Sequence, residues 1–136
     1  MSPHRPLVST VMVNWNRADL MAACLRSLAR QRFQDFEVIV VDNGSTDGSL
    51  ELLRGRECSR VRRIENTENR GLCAANNQGL AIARGEYVAL LNNDAEAEPR
   101  WLDELVGAIG DRKDVGMAAS QLLVHEDPTT STRRAI

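Results

Sequence analysis

The sequence predicts an α/β protein built on a mostly parallel sheet with helices on both faces. Strand-like and helix-like runs alternate along the chain, which calls for crossover connections and therefore parallel strands. The strand-like runs are apolar on both faces, as strands covered by helices on both sides must be. Four of these runs end in clusters of Asn and Asp: Asn14-Trp15-Asn16, Asp42-Asn43-Gly44-Ser45, Asn66 to Gly71, and Asn92-Asn93-Asp94. In an open parallel sheet, ligands bind outside the carboxyl ends of the strands, so four polar ends on one edge would form one site.

Leu7 to Val13 is short and rich in β-branched residues and is the first strand. From Ala18 the period changes. Leu20, Met21, Cys24, Leu25 and Leu28 recur at three- and four-residue spacing, which gives a helix to about Arg30 with Asn16 as its N-cap. Phe36 to Val41 is a second buried strand, and Gly44 to Gly48 turns the chain into a short helix, Ser49 to Leu53, with Ser, Thr and Asp available to cap its amides. Val61 to Ile64 is a strand whose arginines place it near the sheet edge. Leu72 to Ala83 is a third helix, closed by Gly85 before the strand Glu86 to Leu91. Pro99 suits the first turn of a fourth helix, in which Trp101, Leu102, Leu105, Val106 and Ile109 form an apolar stripe. Val115 to Ala119 is expected to add a fifth strand. Residues 1–126 form one domain, and 127–136 a polar tail with almost nothing to bury, expected to be disordered or cut off from its packing partner.

With 136 residues the chain makes one domain at most, large enough to hold a real core. Seventeen basic residues against 19 acidic ones give a formal charge of −2, and no stretch gathers Lys and Arg into a stripe. A nucleic acid is therefore not an expected partner. No apolar run approaches the ~20 residues of a membrane span, and Met1 to Pro6 leads into the first strand without the apolar segment of a secretory signal. A cytoplasmic location is expected. Cys24, Cys58 and Cys73 lack metal-ligand spacing and read as reduced thiols, with Cys24 in the core. His4 and His125 stand in polar terminal segments and carry no assigned role.

A dinucleotide-binding domain would carry G-x-G-x-x-G after the first strand, and a phosphate-binding P-loop would carry G-x-x-x-x-G-K-[ST]. Here that turn is Asn14-Trp15-Asn16-Arg17, with no glycine. The acidic end of the Asn92-Asn93-Asp94 cluster suits a hard divalent cation, because Mg2+ takes one or two carboxylates together with phosphate oxygens and water.

At this point the chain resembles the family 2 glycosyltransferases, with the nucleotide-binding part of the GT-A fold, from Val8 to about Leu123. The resemblance is carried by Val13-Asn14-Trp15-Asn16-Arg17, by Val41-Asp42-Asn43-Gly44-Ser45-Thr46-Asp47, by Glu68-Asn69-Arg70-Gly71, by Asn92-Asn93-Asp94 and by Pro99-Arg100-Trp101-Leu102. Each motif is weak by itself, since Asn and Asp are common turn formers. Five in order are specific.

The resemblance implies roles for particular residues. Asp42 matches the acidic residue that accepts a hydrogen bond from the nucleobase, the alternative being a cap on the Gly-Ser-Thr turn. Trp15 matches the large residue lining the base pocket, where a flat ring offers stacking area, the alternative being packing under the first helix. Arg70 matches a position near base and phosphates, the alternative being a solvated surface arginine. Asn92, Asn93 and Asp94 align with the D-x-D motif that holds Mg2+ or Mn2+ against the donor diphosphate. Asn92 departs from that motif and removes one negative charge, so Asp94 is the expected metal ligand and Asn92 and Asn93 are nucleotide-sugar contacts. Asn-Asn-Asp also occurs in the rhamnosyltransferase-like branch.

The implied function is inverting transfer of a sugar from a nucleotide-diphosphate donor to the hydroxyl of a glycan or lipid-linked acceptor, as in polysaccharide biosynthesis. The general base belongs to the acceptor half, which in the family follows the point where this sequence stops, and none of Asp111, Asp114, Glu126 and Asp127 has the matching context. The alternative reading is a truncated, catalytically incomplete nucleotide-binding module. Its unpaired strand edge would favour homo-oligomers. A nucleotidyltransferase fits less well, because the Gly-rich, Lys- or Arg-bearing first loop is absent.

Overall fold

The computed structural model describes residues 4–58, 61–124 and 133–135. In chain order they form β1 (Val8–Asn14), α1 (Ala18–Ala29), β2 (Phe36–Asp42), α2 (Ser49–Arg54), a 3-10 turn (Arg56–Cys58), β3 (Val61–Glu65), α3 (Leu72–Ile82), β4 (Tyr87–Leu90), β5 (Ala95–Ala97), α4 (Trp101–Ile109), β6 (Leu122–Val124) and β7 (Arg133–Ala135). They group into two compact units, Met1–Ala22 with Asp35–Asn93 and Ala23–Gln34 with Asp94–Ile136.

The first unit holds a four-stranded, wholly parallel sheet in the order β3-β2-β1-β4. Val8, Val11 and Met12 of β1 and Ile39, Val40 and Val41 of β2 are all buried, so both faces of the two central strands are covered, as their mainly apolar sequences require. The arginine-bearing strand β3 lies at one edge, as expected, and β4 at the other, its outer side without a partner strand among the described residues. Parallel pairing sets the strand ends in register, with Asn14 opposite Asp42 and Asp42 opposite Glu65. Leu91 N–H donates to the Val11 carbonyl and carries β4 toward the same rim.

Two glycines mark close approaches. A Cβ on Gly79 would stand 2.4 Å from Val11 Cγ1, so α3 lies directly on the sheet at that point. Gly85 does not close α3 as the sequence reading expected. The cap is Ala83, whose N–H reaches the Leu80 carbonyl, and Gly85 instead passes so near β1 that a Cβ would meet the Ser9 nitrogen at 2.5 Å. Asn16 likewise is not the N-cap of α1. It takes a left-handed conformation (φ 51°), and the Ala18 amide is capped by Asp47 Oδ2 at 2.9 Å. Asp47 was foreseen as a capping residue of the Gly-Ser-Thr-Asp turn; that it reaches back to α1 requires the strand pairing.

At the amino-terminal edge of the sheet, Glu37 is buried on β2. Its Oε1 accepts from Ser9 Oγ (2.7 Å) and the Arg84 amide (2.9 Å), and its Oε2 from Arg62 Nη1 (3.0 Å) and from Arg84 Nε and Nη2 (3.1 and 2.8 Å). Burial would raise the Glu37 carboxyl, but the hydrogen bonds from Arg84, Ser9 and Arg62 outweigh it and hold the group at about 2. The cluster ties β1, β2, β3 and the α3–β4 connection together at this end.

In the second unit, Ser27 Oγ of α1 donates to the Cys24 carbonyl and accepts from the Ala97 amide at 2.9 Å. Gln31 Nε2 donates to the Glu98 carbonyl, and its Oε1 accepts from the Leu102 amide. Cys24 is buried, and its thiol is pushed up to about 12, first by burial and then by the charges of Asp94 and Glu96. Trp101 packs inside, 3% exposed, with Nε1 donating to Ser120 Oγ. The strand expected over Val115 to Ala119 does not form. That segment holds Gly116 and two alanines, with Met117 85% exposed, and no strand pairs with it among the described residues. The strands of this unit are Ala95–Ala97, Leu122–Val124 and Arg133–Ala135, with β7 parallel to β5 and antiparallel to β6. Of the polar tail expected over 127–136, residues 127–132 and 136 lie outside the described residues, and the backbone of Arg133–Ala135 forms β7. Among the described residues no helix is long and apolar enough to cross a membrane.

Two stability predictions follow from the sheet. Because the Glu37 carboxyl sits below its ordinary 4.5, its contribution is complete above that pH and is lost as the pH falls toward about 2. Glu37→Gln should therefore cost about 2 kcal/mol at neutral pH, with the gap to the unaltered chain narrowing over that acid window in urea denaturation. A gap independent of pH would contradict this. At Gly79, helix propensity says that Ala should stabilise by up to about 1 kcal/mol. The 2.4 Å approach to buried Val11 says the opposite, and Gly79→Ala should destabilise by roughly 1–3 kcal/mol in the same assay.

Candidate functional site

The carboxyl ends of β1 to β4 meet in the first unit, and their polar side chains are joined rather than merely adjacent. Asn14, the last residue of β1, is fully buried. Its Nδ2 donates to Asp42 Oδ2 (3.1 Å) and to Ser45 Oγ (3.3 Å), and its Oδ1 accepts from Asn93 Nδ2 (2.9 Å). Asp42 Oδ1 accepts from the Ser45 amide at 2.8 Å. One buried amide therefore connects the segment after β4 to the ends of β1 and β2.

The predicted residues fall at different depths. Asp42 is 0% exposed, with Oδ2 accepting from Asn14 and Oδ1 from the Ser45 amide. The carboxylate thus caps the Ser45 turn, the alternative role given to it from the sequence. Trp15 is 52% exposed and lies outside the core, so it does not pack under the first helix. Its neighbours are held: the Asn16 amide donates to Ser45 Oγ and Asn16 Oδ1 accepts from the Thr46 amide, at 2.9 and 2.7 Å. Arg70 is exposed, and its guanidinium makes no hydrogen bond or ion pair among the described residues. Asn92 is exposed and Asn93 half-buried on Asn14. Asp94, the next residue in the chain, is half-buried and belongs to the second unit.

The sequence placed Asn43 and Asn66 in the strand-end clusters without giving either a role, and Gln78 was not singled out. Asn43 is buried and bonded to the 66–71 loop, and Asn66 and Gln78 exchange a reciprocal pair of amide hydrogen bonds at 2.8 and 2.9 Å. The available signal was that amides outnumber acids in the strand-end clusters. Asp47 lies beside the site and caps two helices, accepting from Ser49 Oγ, the Ser49 amide and the Ala18 amide; its carboxyl is lowered chiefly by the Ser49 hydroxyl.

Among the described residues no group of three or more His, Cys, Asp and Glu side chains is placed to hold a metal. The protein's own anionic donor in the Asn92-Asn93-Asp94 cluster is one carboxylate. That set fits a Mg2+ or Mn2+ ion whose remaining positions are filled by diphosphate oxygens and water, and does not fit an ion held by protein side chains only. A cavity of about 300 Å3 lies at the opposite edge of the sheet, lined by Arg5, Pro6, Leu7, Asp35, Arg84 and Glu86, away from this network.

Residues 9–136 match the family model described as Glycosyl transferase family 2. The chain is 33% identical to a cholesterol galactosyltransferase of Borreliella burgdorferi over 115 residues, covering 82% of this chain and 32% of that protein. It is 30% identical to the glycosyltransferase GlyG of Streptococcus pneumoniae over 101 residues, covering 73% of this chain and 34% of that one. Among solved structures it is similar to the mannosyltransferase PcManGT of Pyrobaculum calidifontis in complex with GDP-Man and Mn2+, with a TM-score of 0.74 and 26% identity over 90% of this chain and 37% of that one. The chain thus spans about a third of the length of these relatives.

Asn14→Ala removes the buried donor to Asp42 and the acceptor for Asn93. It should cost about 2 kcal/mol of unfolding free energy, the usual penalty for leaving buried polar groups without partners. Chemical denaturation measures this, and a loss below about 0.5 kcal/mol would show that the rim does not depend on Asn14.

Proposed function

The chain belongs to glycosyl transferase family 2, and from that premise we propose that its polar rim binds a nucleoside diphosphate sugar together with a divalent cation for transfer of the sugar to an acceptor hydroxyl. The observation that carries this reading is the joining of Asn93, Asn14 and Asp42 into one buried network, with the Trp15 ring and the Arg70 guanidinium exposed in the same unit. The complex of PcManGT with GDP-Man and Mn2+ supports it, because that protein shares the fold and pairs a nucleotide sugar with a divalent ion.

In this reading Trp15 offers its face to the nucleobase, and Arg70 offers directed donors to an anionic oxygen of the donor. Asn92 contributes an amide to a ribose hydroxyl or a phosphate. Asp42, Asn14 and Asn93 act from beneath by fixing the turn and the β4 end. Asp94 is the metal-binding carboxylate, and the cation, Mg2+ or Mn2+, supplies electrostatic stabilisation of the departing diphosphate. The reaction is the inverting displacement by an acceptor hydroxyl on a glycan or a lipid-linked sugar, in polysaccharide biosynthesis on the cytoplasmic side. Inversion requires a carboxylate base for the acceptor proton, and that role is given to no residue of this chain. We place the chain in the rhamnosyltransferase-like branch on the Asn-Asn-Asp sequence.

Isothermal titration of GDP, UDP and dTDP, each with and without Mn2+, tests the proposal. At least one diphosphate should bind, Mn2+ should tighten it about tenfold or more, and Asp94→Ala should remove the metal effect while leaving the fold intact. Binding indifferent both to metal and to Asp94→Ala would refute the reading.

A further inference from the structure

Asn43 ends the β2 segment at 2% exposure, and every hydrogen-bonding position of its carboxamide is taken by one loop. Oδ1 accepts from the Arg70 backbone N–H (3.1 Å) and from Asn66 Nδ2 (3.0 Å). Nδ2 donates to Asn69 Oδ1 (2.9 Å) and to the Gly71 carbonyl (3.4 Å). The backbone partners decide which end of the amide is which, because an N–H can only donate and a C=O can only accept. A second feature acts on the same loop. Gly44 has φ 82°, and a Cβ there would stand 2.7, 2.8 and 2.9 Å from the carbonyl carbon, Cα and nitrogen of Glu68. A saturated amide and a missing side chain therefore both fix the segment that carries Arg70.

We infer that Asn43 is a positioning residue for ligand recognition, holding the 66–71 loop in its ligand-ready conformation so that Arg70 is preset at the rim, and that it does this only as an amide. The inference rests on the proposed nucleotide reading and adds the residue that organises it. A carboxylate in this place would turn an oxygen toward both Asn69 Oδ1 and the Gly71 carbonyl, and two acceptors face to face repel. The loop would loosen, and a ligand would have to order it on arrival. Ordering a loop before the ligand arrives is a direct source of affinity.

The test compares the unaltered chain with N43D, N43A, R70A and the N43D/R70A double variant, titrating whichever of GDP, UDP and dTDP the unaltered chain binds, in the presence of Mn2+ at about pH 8 and about pH 5.5. R70A and N43D should each weaken diphosphate binding about tenfold at the higher pH, and the double variant should bind no more weakly than R70A, because both changes remove the same contact. Acidification is the discriminating readout. The introduced carboxyl is raised by burial among acceptors, and once protonated it regains an O–H donor toward the Gly71 carbonyl. N43D should then recover affinity relative to the unaltered chain, and N43A should not. Affinity of N43D equal to the unaltered chain, losses that add with R70A, or an N43D deficit indifferent to pH would each overturn the inference. Should N43D fail to fold, N69A takes its place: Asn69 is exposed, and its Oδ1 is the partner of both Asn43 and the Gly71 amide. Its loss should likewise not add to that of R70A, and an additive loss overturns the inference. If the unaltered chain binds a diphosphate and R70A binds it equally well, the positioning role fails while the nucleotide reading stands. If the unaltered chain binds none of GDP, UDP and dTDP, the underlying reading fails first.

Discussion

Asn14 and Asp42 are register partners at the ends of adjacent parallel strands, and the 3.1 Å hydrogen bond between their side chains is the constraint on which the rim depends. Parallel pairing brings every strand to its carboxyl end on the same side, and the last residue of each strand must there find partners for polar groups that the ladder no longer satisfies. A carboxylate buried by itself in that position would be costly. Asn14 removes the cost by donating to Asp42 and Ser45 while accepting from Asn93, so one neutral side chain meets three demands at once. The other strand-end amides follow the same logic: Asn43 and Asn66 are satisfied by neighbours that also donate and accept.

The two edges of the sheet solve burial differently. At the amino-terminal edge a single carboxylate, Glu37, collects two arginines and a serine hydroxyl, and its charge is fully matched. Such a cluster is closed to further ligands, because its oxygens are already occupied. At the carboxyl edge the network of Asn14, Asp42 and Asn93 has one charged member, Asp42; in the same unit the Trp15 ring is exposed and the Arg70 guanidinium makes no hydrogen bond or ion pair among the described residues. On the proposed reading, a floor already satisfied within the protein favours recognition. The floor keeps its shape, and binding energy goes to the ligand instead of to reorganising the protein.

The sequence made this sheet legible where chemistry is local. Val8 to Asn14 and Phe36 to Asp42 are rich in β-branched residues, and they form the central strands within a residue of the expected bounds. The arginines of Val61–Glu65 announced an edge strand. What failed depends on partners distant in sequence. Asn16 looked like an N-cap by position, but the cap comes from Asp47, which only the pairing of β1 with β2 brings near. Ala95–Ala97 has no β-branched residue and forms a strand through its ladder to β7, whereas Val115 to Ala119 had the more strand-like sequence and no ladder. The clusters at the strand ends were legible in the sequence, but their hydrogen-bonded network was not. Asp42 was read as a ligand contact because its type and position suit one; its burial beneath the Ser45 turn is a tertiary fact. Asn43 was passed over because a neutral amide after an aspartate looks like an ordinary turn former until the 66–71 loop folds onto it.

The amide character of the rim also bears on how a cation would be held. Asn92 stands where a second carboxylate would double the local negative charge, and its replacement by an amide leaves Asp94 as the anionic side chain of that cluster. One carboxylate is a weak site for a hydrated divalent ion, since Mg2+ gives up its water reluctantly and needs several hard oxygens. On the proposed reading those oxygens come with the nucleotide, so neither partner binds well without the other. Linkage then requires the coupling to be mutual: whatever factor the ion adds to nucleotide affinity, the nucleotide must add to affinity for the ion. On that reading a cluster with one carboxylate holds the cation chiefly when the diphosphate is present, a selectivity that a second carboxylate at position 92 would weaken by holding the ion in advance.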